Sequence, residues 1–171
     1  MVHGWLQALL LNGTSLTYLE VRILFVHCNY PAQFRHLSQH LAANQNNEIV
    51  FLCQNKEWTA SDIPHLKLSR YQLGRDPKSE LCHPYLRRYE TAVLHGQAAL
   101  REALQLRQNG FEPDLIIGHS GVGNTLYLKE VWPNTKFIGY FEWFYRSQGA
   151  DVGFGTNQAP SPDTSLRVHT Y

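Results

Sequence analysis

The sequence predicts an α/β domain in which one doubly wound parallel sheet carries helices on both faces. Three observations predict it. Near-continuous apolar runs recur along the chain, as expected of strands buried on both faces. Stretches with apolar residues at helical spacing fall between them, and such alternation builds parallel sheets with right-handed crossovers. A length of 171 residues suits one domain with a single core rather than two.

The first strand is VRILFVH (21–27). Pro31 then suits the first turn of a helix, with Asn29 or Tyr30 as its cap. Phe34, Leu37 and Leu41 continue that helix as far as Asn44. EIVFLCQ (48–54) is the second strand, and LKLSRYQL (66–73) a weaker, alternating third. The longest helix is expected from about His83 to Asn109, with Pro84 in its first turn and Asn109-Gly110 at its end. Its apolar face reads Leu86, Tyr89, Val93, Gly96, Leu100 and Leu104. LIIGHS (115–120) is the fourth strand. A helix from about Gly123 to Val131, stopped by Pro133, leads to the fifth strand, KFIGYFE (136–142). The tail after Val152 has turn composition and few apolar residues. The expected strand order is 3-2-1-4-5.

A formal net charge of +1 gives no electrostatic footprint for nucleic acid or an anionic membrane. Cys28, Cys53 and Cys82 are too few and too scattered for a disulfide framework or a metal pair, so a reducing, intracellular setting is expected. The apolar run from Leu6 to Leu11 lacks a basic flank and a small-residue cleavage site, and is too short to span a bilayer. Residues 1–20 read as an extension ahead of the domain that adds little to stability. Asn12-Gly13-Thr14 matches a glycosylation sequon, which bears only on a secreted chain.

In an open parallel sheet, ligands bind beyond the carboxyl ends of the strands where the order reverses. Here that point lies between the first and fourth strands. They end in His27-Cys28-Asn29-Tyr30-Pro31 and Gly118-His119-Ser120-Gly121, so one crevice is expected between these loops. Neither loop holds Arg or Lys, and the nearest are expected to be Arg35 and Lys129 on the flanking helices.

The segment PDLIIGHSGVGNT (113–125) comes close to three known strand–turn–helix motifs and completes none. A nucleophile elbow needs glycine where Val122 stands. A phosphate loop needs lysine at Asn124, and a dinucleotide fingerprint needs a third glycine at Leu126. An esterase built on Ser120 would take Asp151 or Asp163 and His169 as partners, all from a tail with no strand to hold them. Ser120 reads better as the cap of the following helix, whose first N–H groups would favour an anion or a hydroxyl-rich ligand. His36 and His40 are spaced for one helix face but lack a third metal ligand in register, so they read as solvated. The aromatics of YFEWFYR (140–146) surround Glu142 and serve either as core or as a platform for sugar rings or another domain.

Three blocks carry a family resemblance: RILFVHCNYPAQFRHLSQHLA, GFEPDLIIGHSGVGNTLYLKEVWP and FIGYFEWFYRSQGADVGF. From about Arg22 to Phe154 the chain resembles the N-terminal domain of a family 4 glycosyltransferase, a group with the two-domain GT-B fold. The resemblance implies a Rossmann-like domain over residues 21–154 and a loop-rich tail over 155–171. It also implies transfer of a sugar from a nucleotide-sugar to an acceptor, sugar or lipid-linked, with retention of configuration. By position, His119 matches the histidine such enzymes place against the donor sugar, and is the expected catalytic residue. The loop carrying His27, Asn29, Tyr30 and Gln33 matches the one lying against the diphosphate and the acceptor. Ser120, Gly121 and Glu142 complete the expected substrate-binding set, with Glu142 on acceptor hydroxyls. No metal or other cofactor is expected.

Members of that group are about twice this length, and many carry an acidic residue where Gly155-Thr156 stand. The chain therefore reads as a fragment lacking the nucleotide-binding C-terminal domain, inactive alone. A cytoplasmic setting is expected, with peripheral association at the inner face of the membrane. The competing readings are a non-catalytic flavodoxin-like binding module and the Ser120 esterase.

Overall fold

The computed structural model describes residues 20–56, 62–77, 79–142, 145–147 and 161–168. Five strands form one parallel sheet: β1 (Arg22–Val26), β2 (Glu48–Gln54), β3 (Leu66–Tyr71), β4 (Leu115–His119) and β5 (Lys136–Tyr140), in the order β3-β2-β1-β4-β5. The doubly wound α/β sheet and its expected order are both present.

The apolar runs follow from burial on two sides. Leu24, Val26, Val50, Leu52 and Ile116 pack on one face of the sheet against α2 (Arg87–Gln108) and α3 (Leu128–Val131). Ile23, Phe25, Ile49 and Phe51 alternate with them and pack on the other face with Phe34 and Ala42, the latter on α1 (Arg35–Ala42). Each such side chain contributes about 1.5–3 kcal/mol when fully buried, so the central strands hold most of the core.

The helix faces differ from the expectation. In α2 the buried residues are Leu94, His95, Gly96, Ala98, Ala99 and Ala103. Leu86 and Tyr89 are 53% and 64% exposed, Leu104 is also exposed, and Val93 and Leu100 are half-buried. The cause is close approach: a Cβ on Gly96 would lie 2.9 Å from the Gly123 carbonyl oxygen and 2.9 Å from the Tyr127 ring. Small residues therefore occupy the contact and the large apolar ones ride at the rim. In α1, likewise, Ser38 and Ala42 are buried while Leu37 is exposed.

Element ends also differ. The Tyr30–Pro31 peptide is cis and Pro31 precedes a single 3-10 turn, Ala32–Phe34, with no side-chain cap from Asn29 or Tyr30. A 3-10 turn at Pro84–Leu86 precedes α2, and only Leu128–Val131 of the expected fourth-strand helix is α-helical. Pro162–Val168 form a helix, α4, in the tail expected to be turns. Ser161 Oγ accepts the Thr164 N–H at 3.2 Å and Pro162 opens the first turn, a capping signal that outweighs low apolar content. Tyr85 donates its hydroxyl to Asp163 (2.6 Å), joining α4 to the start of α2.

Among the described residues β5 is the edge strand, and Phe137, Ile138 and Tyr140 are exposed, so its apolar run is not buried on both faces. Among the described residues no helix is long and apolar enough to cross a membrane. The expectation for residues 1–20 concerns positions outside the described residues, apart from Glu20.

Candidate functional site

β1 and β4 are neighbours with Val26 beside Gly118, so their ends release His27 and His119 into one crevice. The chain turns back over opposite faces of the sheet from these ends, which opens the space between the loops. His27 and His119 are 5% and 6% exposed, and their rings meet edge to face with centroids 4.7 Å apart.

Backbone groups grip each ring from behind. The Gly121 N–H donates to His119 Nδ1 at 3.1 Å, so the neutral ring carries its proton on Nε2. His27 Nδ1 lies 2.8 Å from the Asn29 nitrogen and 2.9 Å from the Asn29 carbonyl oxygen, so it accepts from the N–H when bare and donates to the carbonyl when it carries a proton. Burial, and then the neighbouring His119 charge, hold His27 below the ordinary histidine pKa. Burial pushes the Cys28 thiol up, away from nucleophilic character.

Glu142 closes the crevice from the β5 side. Its Oε2 lies 3.2 Å from His119 Nε2, and its Oε1 accepts from the Gln33 amide. The contact to His119 is oblique, so the buried Nε2 has no aligned hydrogen-bond acceptor among the described residues. The Gln33 hydrogen bond, and then His119, hold the Glu142 carboxyl below its ordinary value. Tyr140 and Phe34 pack edge to face at 5.9 Å and support this wall.

His27, His119, Gln33 and Glu142 thus come together with Asn29 and Gly121. Tyr30 anchors the loop instead, its ring edge-on to Phe51 at 5.0 Å and its hydroxyl donating to Asp62. Ser120 does not cap a helix. Its N–H and its hydroxyl both donate to the Tyr140 carbonyl, at 3.1 and 3.0 Å, and so extend the β4–β5 pairing by one residue. An esterase arrangement is not assembled among the described residues: Asp163 is held by Tyr85, while Asp151 and His169 lie outside them.

The turn after β4 is not a phosphate loop. Asn124 is 1% exposed, buried beside the Tyr71 hydroxyl. The Leu126 and Leu128 N–H groups bond back to Gly123 and Thr125 within the turn, and α3 is too short for a helix-start anion site. Arg35 pairs with Asp62 and Lys129 donates to the Thr135 carbonyl, so neither expected cation is free for the crevice. The cation nearest the loop after β1 is Lys56, whose ammonium donates to Asn29 Oδ1. Its position just beyond β2, the strand beside β1, was a signal in the sequence. Among the described residues no cluster of His, Cys, Asp or Glu is placed to hold a metal, and His36 and His40 are solvated.

A sequence model of the glycosyl transferase family 4 group matches residues 45–171, well over half of the chain. The match spans β2 to α4, including His119 and Glu142, and begins after the loop that carries His27 and Gln33. No curated protein matches the chain.

Proposed function

The chain belongs to the glycosyl transferase family 4 group, and from that premise we propose that it is the acceptor-side half of a retaining glycosyltransferase. A sugar is transferred across the crevice between the ends of β1 and β4. A second α/β domain of the GT-B arrangement holds the nucleotide on the far side. The bond between the anomeric carbon and a phosphate oxygen breaks, the acceptor oxygen takes the sugar and gives its proton to that phosphate oxygen, and a nucleoside diphosphate leaves.

One observation carries this reading. His119 is buried at the switch point and fixed from behind by Gly121, yet its Nε2 proton has no aligned acceptor. The oblique Glu142 carboxylate at 3.2 Å satisfies this donor only in part, and a fully unsatisfied one would cost about 1–3 kcal/mol, so a sugar hydroxyl that displaces the carboxylate would improve the bond. A donor held rigidly before the substrate arrives needs no reorganisation during reaction.

The other residues take complementary parts. The loop from His27 to Gln33 faces the diphosphate and the acceptor. Lys56 adds a positive charge beside Asn29, on the side where phosphate charge would be offset. Ser120 holds the sheet edge, and Glu142, partly exposed, presents oxygen lone pairs to acceptor hydroxyls. An acceptor borne on a membrane lipid fits a peripheral association at the cytoplasmic face. Neither metal nor other cofactor has a part in this scheme.

The test is an assay of the full-length protein with nucleotide-sugar donors and sugar or lipid-linked acceptors, reading the anomeric configuration of the product. Transfer with retention, strongly reduced by His119→Ala, is expected. Transfer with inversion, or His119→Ala activity equal to wild type, would overturn the reading.

A further inference from the structure

We propose that Glu142 is a positioning residue: one carboxylate orients the His119 imidazole and latches the loop after β1 to the end of β5. Its catalytic consequence rests on the sugar-transfer reading above, but the latch itself does not.

The inference starts from register. His119 pairs with Tyr140 across β4 and β5, so Glu142, two residues further, emerges just past the histidine it meets. Each carboxylate oxygen has a different partner, the His119 ring at 3.2 Å on one and the Gln33 amide on the other. Gln33 lies 109 positions away in sequence. It immediately precedes Phe34, whose ring packs on both Tyr140 and His27. One side chain therefore joins the two walls of the crevice.

For His119 the effect is one hydrogen bond, from the Gly121 N–H to Nδ1, and an electrostatic contact with the carboxylate facing Nε2 at 3.2 Å. A carboxylate beside the Nε2 edge stabilises that proton where it is and resists rotation of the ring. The titratable groups facing Glu142 are His119 and His27. With Gln33 they keep its carboxyl below the ordinary range, so the latch stays charged into mild acid.

The test uses the 171-residue chain and needs no sugar. Carbon-13 NMR of the Glu142 carboxyl should show wild-type titration below the usual glutamate value. Gln33→Leu and His119→Gln should each move it upward. In Glu142→Ala the His119 Nε2–H resonance should broaden by exchange with water, and in the isosteric Glu142→Gln it should remain sharper. Amide spectra away from the crevice verify that each variant folds. Ordinary titration of Glu142 in wild type, no movement in either partner variant, or an unchanged His119 resonance in Glu142→Ala would each overturn the proposal. Such a failure would leave sugar transfer standing, and absence of transfer by the full-length protein would leave the latch standing.

Discussion

Gly121 reaches back to His119, its N–H 3.1 Å from Nδ1, and only glycine can do so without displacing the ring. A Cβ at position 121 would fall 2.7 Å from His119 Cε1 and 3.3 Å from Nδ1. Gly121→Ala should therefore push the imidazole out of place while leaving the sheet intact. On the proposed function, sugar transfer should fall by about 10²-fold, the scale set by an ångström of misplacement, with little change in unfolding midpoint. Steady-state kinetics beside thermal unfolding checks this, and equal losses in both would assign Gly121 to the fold alone.

His119 and Ser120 are adjacent but should respond differently. His119→Ala removes a preorganised donor, and losses of about 10²–10³ in kcat are typical of such groups. Ser120→Ala removes a hydroxyl whose acceptor, the Tyr140 carbonyl, keeps the Ser120 N–H. Activity within about threefold of wild type is expected there, since one such hydrogen bond contributes only about 0.5–1.5 kcal/mol. Abolished activity in Ser120→Ala would instead favour a serine nucleophile.

Acid should weaken the fold in two stages. His27 and His95 both have pKa values lowered from 6.5, each chiefly by burial, and His95 is bonded to the Tyr71 hydroxyl at 2.9 Å. As pH falls below about 6.5 the unfolded chain binds these protons first, so stability declines until pH passes the lower folded-state values. Further down, Asp62, held low by Arg35, and Glu142 lose their charge-dependent contributions as pH falls through their folded values. Urea midpoints between pH 8 and 5 should drop in wild type and drop less in His27→Gln. A flat wild-type profile would contradict the burial of the neutral rings.

Two glycines with positive φ separate backbone strain from overlap. Gly110 has φ 85° with open space around a would-be Cβ, whereas Gly123 has φ 97° and its Cβ would meet the Ala92 backbone at 2.4 Å. Gly110→Ala should cost about 1–2 kcal/mol from the left-handed backbone alone. Gly123→Ala must also displace α2 and should cost more than about 3 kcal/mol. Chemical denaturation of the two variants checks the ranking, and equal costs would contradict the packing of the β4 turn on α2.

The strands were legible because parallel strands buried on both faces leave uninterrupted apolar runs, as Ile23–Val26 and Ile49–Cys53 do. The switch-point rule then located His27 and His119 from sequence alone. Helix faces were not legible, because α2 packs into the core through Ala98, Ala99 and Ala103 and against the turn after β4 through Gly96, and close approach favours small residues over large apolar ones. The Gln33–Glu142 latch was hidden for another reason: its two residues lie far apart in sequence and meet only because β4 pairs with both β1 and β5. Lys56 is not signalled by the ends of β1 and β4, because it reaches Asn29 from just beyond the end of β2. The α4 helix was overlooked by weighing apolar content above the Ser161-Pro162 start signal.

The central claim is that sugar transfer takes place between the ends of β1 and β4. Its most direct test is an NMR titration of the 171-residue chain with a panel of nucleotide-sugars, following backbone amides and histidine rings. On the proposed reading this chain supplies the acceptor-side half of the crevice, and affinity should then be about millimolar, roughly −4 kcal/mol. The perturbed signals should be confined to residues 27–33, 119–121 and 140–142. Micromolar binding would place the nucleotide site within this chain. Perturbations centred elsewhere, with His27 and His119 unmoved, would contradict the account.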